Sequence, residues 1–283
     1  MTPRSRTTFL ASLGLALAAC RLGATGHGPV YGLATPTLGQ GVWSLDVAGM
    51  ARAGGSGEMA MARPMLAYGI TEDLQISFSL PVPLYRDLSV APARTMAMMP
   101  GTPDAEFLLG WRFHRRALDV GARFESTAYL GLEYPTDPLR GGVRTSPGIL
   151  GGLVTGYASR SVYAWAGALY QRSMSPRGGD HTGDTAIYSL VYGYRPPHFR
   201  AELPHPDWRV FVELVGEVQE PDEIAGRELP NTGGHELFAG PTVLGLYGPW
   251  GISGGPLFPI YSDLNGAQRE EDYRFVVNFT YWF

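Results

Sequence analysis

The chain has 283 residues, 45% of them hydrophobic, 12% aromatic and only 17% charged, which is room for one large domain or two small ones and is not a disordered composition. Its 38 glycines and 23 prolines are too many helix breakers for a helical bundle, and its one cysteine excludes a disulfide framework and a multi-cysteine zinc site. The 22 basic residues, all arginine, stand against 26 acidic ones, and a net charge of −4 gives no sign of a nucleic-acid partner.

The chain opens on a targeting signal. Arg4 and Arg6 precede an uncharged stretch, residues 7–19, whose apolar content is Phe9, Leu10, Leu13, Leu15 and Leu17. That is too short to span a bilayer and fits a secretory signal peptide. Two processing sites fit it. Leu17-Ala18-Ala19-Cys20 has the form of a lipobox and would lipidate Cys20; Leu22-Gly23-Ala24 or Ala16-Leu17-Ala18 would serve an ordinary signal peptidase. The expected organisation is a signal peptide over 1–24, an N-terminal periplasmic segment over 25–40 and a barrel over 41–283.

No later segment reads as a membrane helix. The longest uncharged run, residues 237–262, holds ten glycines and prolines, which no stable helix tolerates. The apolar period is two instead. Leu74, Ile76, Phe78, Leu80 and Val82 alternate with Gln75, Ser77 and Ser79. Ala105, Phe107, Leu109, Trp111 and Phe113 alternate with Glu106, Gly110, Arg112 and His114. Phe124 lies between Arg123 and Glu125. Val210, Val212 and Leu214 face away from Arg209, Glu213 and Glu217. Tyr273, Phe275, Val277, Phe279, Tyr281 and Phe283 face away from Arg274, Asn278 and Thr280. Such alternation puts one set on each face of a sheet.

The spacing predicts twelve strands, near 41–53, 60–70, 73–83, 104–114, 118–130, 148–158, 161–171, 185–194, 208–218, 235–245, 250–260 and 272–283. Their lengths are close to the roughly 9–11 residues that a tilted strand needs to cross a bilayer. Connections alternate between short turns and long loops, apart from a short one at 54–59 and a long one at 195–207. Short turns on one side and long loops on the other are the bacterial outer-membrane arrangement. The expected fold class is therefore all-β: an antiparallel transmembrane barrel of about twelve strands, closed by a C-terminal strand that ends in Phe283. Tyr281 and Phe283 read as a membrane-assembly signal for the barrel-assembly machinery.

Two stretches carry a family resemblance. The first is Thr35-Pro36-Thr37-Leu38-Gly39-Gln40-Gly41 with Trp43-Ser44-Leu45. The second is the hairpin Tyr68-Gly69-Ile70-Thr71-Glu72-Asp73-Leu74-Gln75-Ile76. From about residue 34 onward the chain resembles the outer-membrane family named for the meta-pathway of phenol degradation. The resemblance implies a barrel that moves small, often aromatic or hydrophobic, compounds across the outer membrane.

On this reading Glu106, Arg112, Arg123, Glu125, Arg209, Glu213 and Arg274, with His114 and Glu217, face the lumen. An isolated charge facing lipid costs about 2–4 kcal/mol at mid-depth. In the lumen, arginine and glutamate can pair across strands, either as a rigid filling or as a charged constriction that selects permeants. The expected function is passive transport of a small-molecule permeant, with membrane lipids as surroundings and with no cofactor, no metal and no enzymatic role. Three other readings remain open. Met96, Met98 and Met99 would suit a soft metal ion. Ser253 with His235 would suit a hydrolytic site in the barrel wall, although no Gly-x-Ser-x-Gly motif occurs. A soluble, secreted β-protein would show the same alternation. His198 and His205, seven residues apart, lack a metal-site spacing.

Overall fold

The structure is a computed structural model that describes residues 28–283 except 56, 89–103, 138, 141, 176–178 and 200–204. Twelve antiparallel strands follow one another around a closed barrel. They are β1 (Trp43–Gly54), β2 (Gly57–Thr71), β3 (Leu74–Ser79 with Val82–Leu88), β4 (Asp104–Asp119), β5 (Ala122–Pro135) and β6 (Gly148–Ala158). Then come β7 (Val162–Ser173), β8 (Thr185–Tyr194), β9 (Asp207–Gln219), β10 (Gly234–Tyr247), β11 (Trp250–Leu264) and β12 (Glu271–Trp282). The break in β3 falls at Leu80 and Pro81, where proline has no N–H to give to a ladder. Both halves of β3 pair with β2.

The first and last strands close the wall. Their register runs from Ser44 opposite Trp282 to Gly54 opposite Glu271. Beyond it, Trp43 N–H donates to the Phe283 carbonyl at 2.9 Å and Phe283 N–H donates to Trp43 at 3.0 Å. The first and last strands thus leave no open edge at the seam, as a sheet in lipid requires.

The two faces of the wall differ in the direction the sequence predicts. In β12, Tyr273, Phe275, Val277 and Phe279 are exposed on the outside, while Arg274, Asn278 and Thr280 are buried inside. A soluble barrel would have these faces reversed; this one presents hydrocarbon outward, as a membrane barrel does. Among the described residues no helix is long and apolar enough to cross a membrane. At the short-turn end, Trp43 stacks near Tyr68 and Phe283, and Trp250 near Phe279 and Tyr281, with ring centroids 4.1–6.4 Å apart. They form an aromatic patch where an interfacial girdle belongs.

Two boundaries and one facing correct the expectation. The turn placed at 114–117 lies at Val120 and Gly121, so β4 and β5 meet as a hairpin that projects beyond the wall. Gly121 takes the tight turn with φ +78°. His114 was expected to face the lumen. A bulge between Arg112 and His114 puts two residues opposite one and turns His114 outward, edge-on to Phe124. The long connection after β8 holds one 3-10 turn, Pro197–Phe199, with His198 in it; His205 is exposed at its far end.

Candidate functional site in the barrel lumen

Residues 28–42 carry no strand, and 28–39 do not lie outside the barrel: they run through its interior, with Gln40 and Gly41 exposed at the turn into β1. The sequence reading makes 25–40 an N-terminal periplasmic segment; the structure lays residues 28–39 along the inner wall instead. Val30, Tyr31, Leu33, Thr35, Thr37 and Leu38 are all buried. From the short-turn end inward, Leu38 N–H donates to Gln75 at 2.8 Å, and Thr37 hydroxyl to the Glu72 carbonyl at 2.8 Å. Thr35 hydroxyl donates to Glu125 at 3.2 Å and receives Trp165 Nε1–H at 3.0 Å. Thr127 and Tyr129 hydroxyls donate to the Thr35 and Ala34 carbonyls. Leu33 N–H donates to Ser189 at 3.0 Å.

The deepest contact is a cradle around Glu213. Three consecutive main-chain N–H groups, of Val30, Tyr31 and Gly32, donate to its two carboxylate oxygens at 2.7–2.8 Å. Thr242 hydroxyl donates a fourth bond. Among the described residues no cationic side chain pairs with Glu213. The described donors to it are all neutral, and they fill the hydrogen-bonding capacity that a buried carboxyl group needs where water is excluded. Gly32 is needed here: a Cβ would lie 2.4 Å from Val191 Cγ2.

A second layer of charge lies toward the long loops. Arg274 is wholly buried and takes Glu217 in a bidentate pair at 2.6 and 2.9 Å and Glu271 at 2.8 and 3.0 Å. Arg52 also bonds Glu271, Glu236 lies 4.0 Å from Arg274, and the Phe238 ring lies 4.0 Å below the guanidinium. Toward the short turns, Arg112 links Glu125 at 3.0 Å with Asp73 and the Glu72 carbonyl.

The site residues expected from sequence therefore divide. Glu106, Arg112, Glu125, Glu213 and Arg274 are buried inside the barrel. Arg123 reaches Glu125 at 2.9 Å but sits at the short-turn rim with its side chain 42% exposed. Arg209 lies at the same end, bonded to Asp207 at 3.0 Å and stacked over Tyr163. Tyr281 and Phe283 belong to the rim aromatics, their rings 5.6 Å apart. Sequence reasoning did not single out Asp46, Arg52, Arg63, Asp104, Glu133 and Glu271, which are equally internal. Among the described strand residues that are buried, there are eight carboxylates and four guanidinium groups. The alternation carried the signal for all of them. For the luminal segment the signal was different: residues 22–45 carry no charge and no period of two.

The hydrolytic pair does not assemble. Ser253 stands opposite Leu244 in the β10–β11 ladder, nine residues from His235. At about 3.3 Å per residue that is roughly 30 Å. Ser253 lines the interior, whereas His235 packs outside against Tyr188 and Tyr261. Among the described residues no three His, Cys, Asp or Glu side chains form a metal-binding group. Met96, Met98, Met99 and Cys20 lie outside the described residues.

No protein-family model matches the sequence, and no curated protein matches it. Solved structures do match the fold. An outer-membrane channel from Pseudomonas putida F1 superposes with a TM-score of 0.58 at 12% identity, over 88% of this chain and 98% of the channel. The NanC porin superposes with a TM-score of 0.55 at 8% identity, over 84% of this chain and 98% of the porin. The fold is thus that of outer-membrane barrel channels.

Proposed function

We propose that this barrel is an outer-membrane channel for passive passage of small molecules, closed at rest by its own residues 28–38. The observation that carries the reading is the lumen itself. It is polar and acidic inside an apolar shell, and it is filled by a segment held through hydrogen bonds to the wall. On this reading residues 1–24 direct secretion, lipid surrounds the wall, and the assembly machinery reads the C-terminal strand. The likeness to two channel folds supports the channel reading; that the permeant is small, and aromatic or hydrophobic in part, rests on the sequence resemblance to the phenol meta-pathway family alone. The excess of carboxylates over guanidinium groups favours cations over anions in transit.

The test is current through a planar bilayer, comparing the chain from residue 25 with one that also lacks residues 28–38. The full lumen should stay closed with rare openings. The deletion should give steady discrete steps, with a reversal potential that favours the cation in a KCl gradient. Two inserted, folded and silent proteins would end the channel reading. Equal conductance from both would end the role of the segment.

A further inference from the structure

Beside the luminal segment lies a cavity of about 220 Å³. Its floor is made by residues of the segment, Leu33 and Leu38 among them. One wall is polar, with Ser44, Gln75, Ser77, Asn278 and two carboxylates, Asp46 and Glu106. The other is apolar, with Leu108, Leu150 and Leu169. Among the described residues no arginine or histidine lines it.

Glu106 is the informative residue. It is 6% exposed, and among the described residues no donor is hydrogen-bonded to its carboxylate. Arg63 acts on it by charge, and on Asp104 and Glu133 as well. A buried carboxylate normally carries hydrogen bonds or a cation. Here the unfilled acceptor capacity opens onto the cavity. A solute matching these walls carries a positive N–H donor at one end and an apolar body at the other.

We propose that the cavity is a binding site for a small organic cation, with its ammonium group at Glu106 and its apolar body against Leu108, Leu150 and Leu169. The proposal rests on the channel reading for its biological sense, since the site would hold a permeant in transit. It narrows that permeant from aromatic or hydrophobic compounds to amines of that kind. An anion would meet the Glu106 carboxylate with no cationic side chain among the described residues of the cavity wall. A neutral hydrocarbon would leave Glu106 as unsatisfied as before.

Calorimetric titration of the refolded chain from residue 25, with three probes that share one ring, tests this. The probes are phenethylammonium, phenethyl alcohol and 3-phenylpropionate. The cation should bind about ten-fold more tightly than the alcohol, and the anion least, because the charge-assisted bond is available to the cation alone. Glu106→Gln should bring the cation's affinity down to that of the alcohol. Equal binding of the three, or a preference for the anion, would overturn the site. Should Glu106→Gln not fold, the order of the probes on the unaltered protein decides. Titration needs no current. A protein that binds the cation but stays silent in a bilayer keeps the site and loses the channel; one that conducts without preference among the probes keeps the channel and loses the site.

Discussion

Tyr31 and Glu213 meet in the middle of the lumen. The Tyr31 main-chain N–H donates to Glu213 Oε2 at 2.8 Å, while its hydroxyl donates across the barrel to the Gly255 carbonyl at 2.6 Å. One residue of the segment thus ties β9 to β11 from within. With the neighbouring N–H groups of Val30 and Gly32, it supplies three of the four donors that hold the Glu213 carboxyl group. Segment and carboxylate depend on each other. Among the described residues the segment has no strand partner for these amides, and the carboxylate has no arginine.

Glu213→Gln tests that dependence. The amide keeps the shape but loses the charge, and it turns one acceptor into a donor that faces backbone N–H groups. Hydrogen bonds to a charged group contribute about 1.5–3 kcal/mol each. Losing one such bond should shift the closed-to-open ratio by at least roughly ten-fold. Open probability in a bilayer is the measurement. An unchanged value would mean that the cradle does not hold the segment in place.

Gly32 makes a steric version of the same test. A side chain there would collide with Val191, whose branched Cβ leaves it little room to turn. Gly32→Val should push the turn at residues 30–32 off Glu213 without altering a wall residue. The barrel should melt at nearly the unaltered temperature, yet protease added from the short-turn side should cut the segment faster. A segment protected as before would show that the wall yields instead.

Alkali offers a third approach. Burial and the charge of Glu213 hold the Tyr31 hydroxyl above the usual phenol range. A group whose folded value is raised stabilises the seated state fully below its free value, about 10 for tyrosine, and loses that contribution as pH rises further. The segment should therefore loosen above about pH 10, and Tyr31→Phe should remove the dependence while weakening the hold on Gly255 at every pH. Open probability against pH, for both proteins, reads this directly.

The wall of this barrel was legible in the sequence because lipid and lumen impose opposite demands on adjacent residues. Phe275 beside Arg274 and Phe107 beside Glu106 are the trace of that demand. What escaped has physical reasons too. One extra residue at Phe113 reverses the facing of His114, and a bulge leaves no mark on composition. The 28–42 segment binds through main-chain amides, which every residue but proline carries, so its side chains need no period. The charge partners were half visible. Arg112 and Glu125 are joined by hairpin spacing, whereas Glu217 and Arg274 meet across the lumen from β9 and β12, a distance in sequence that alternation does not encode.

The Arg274 group gives the largest expected effect on stability. Arg274 is fully buried between Glu217 and Glu271, with Glu236 close by. Arg274→Met would fit the space above Phe238 but would leave Glu217 without its bidentate partner and Glu271 with Arg52 alone. Removing one member of a buried ion pair costs about 3–5 kcal/mol, chiefly because the other charge stays behind. Replacing both members removes the stranded charge, so Arg274→Met with Glu217→Gln should recover a large part of the loss. The readout is the temperature at which the folded barrel converts to the unfolded band on a gel. A double variant as unstable as the single one would mean that Arg274 acts by filling space rather than by balancing charge. Recovery would identify this layer as the internal brace that lets a barrel with a displaced segment keep its shape.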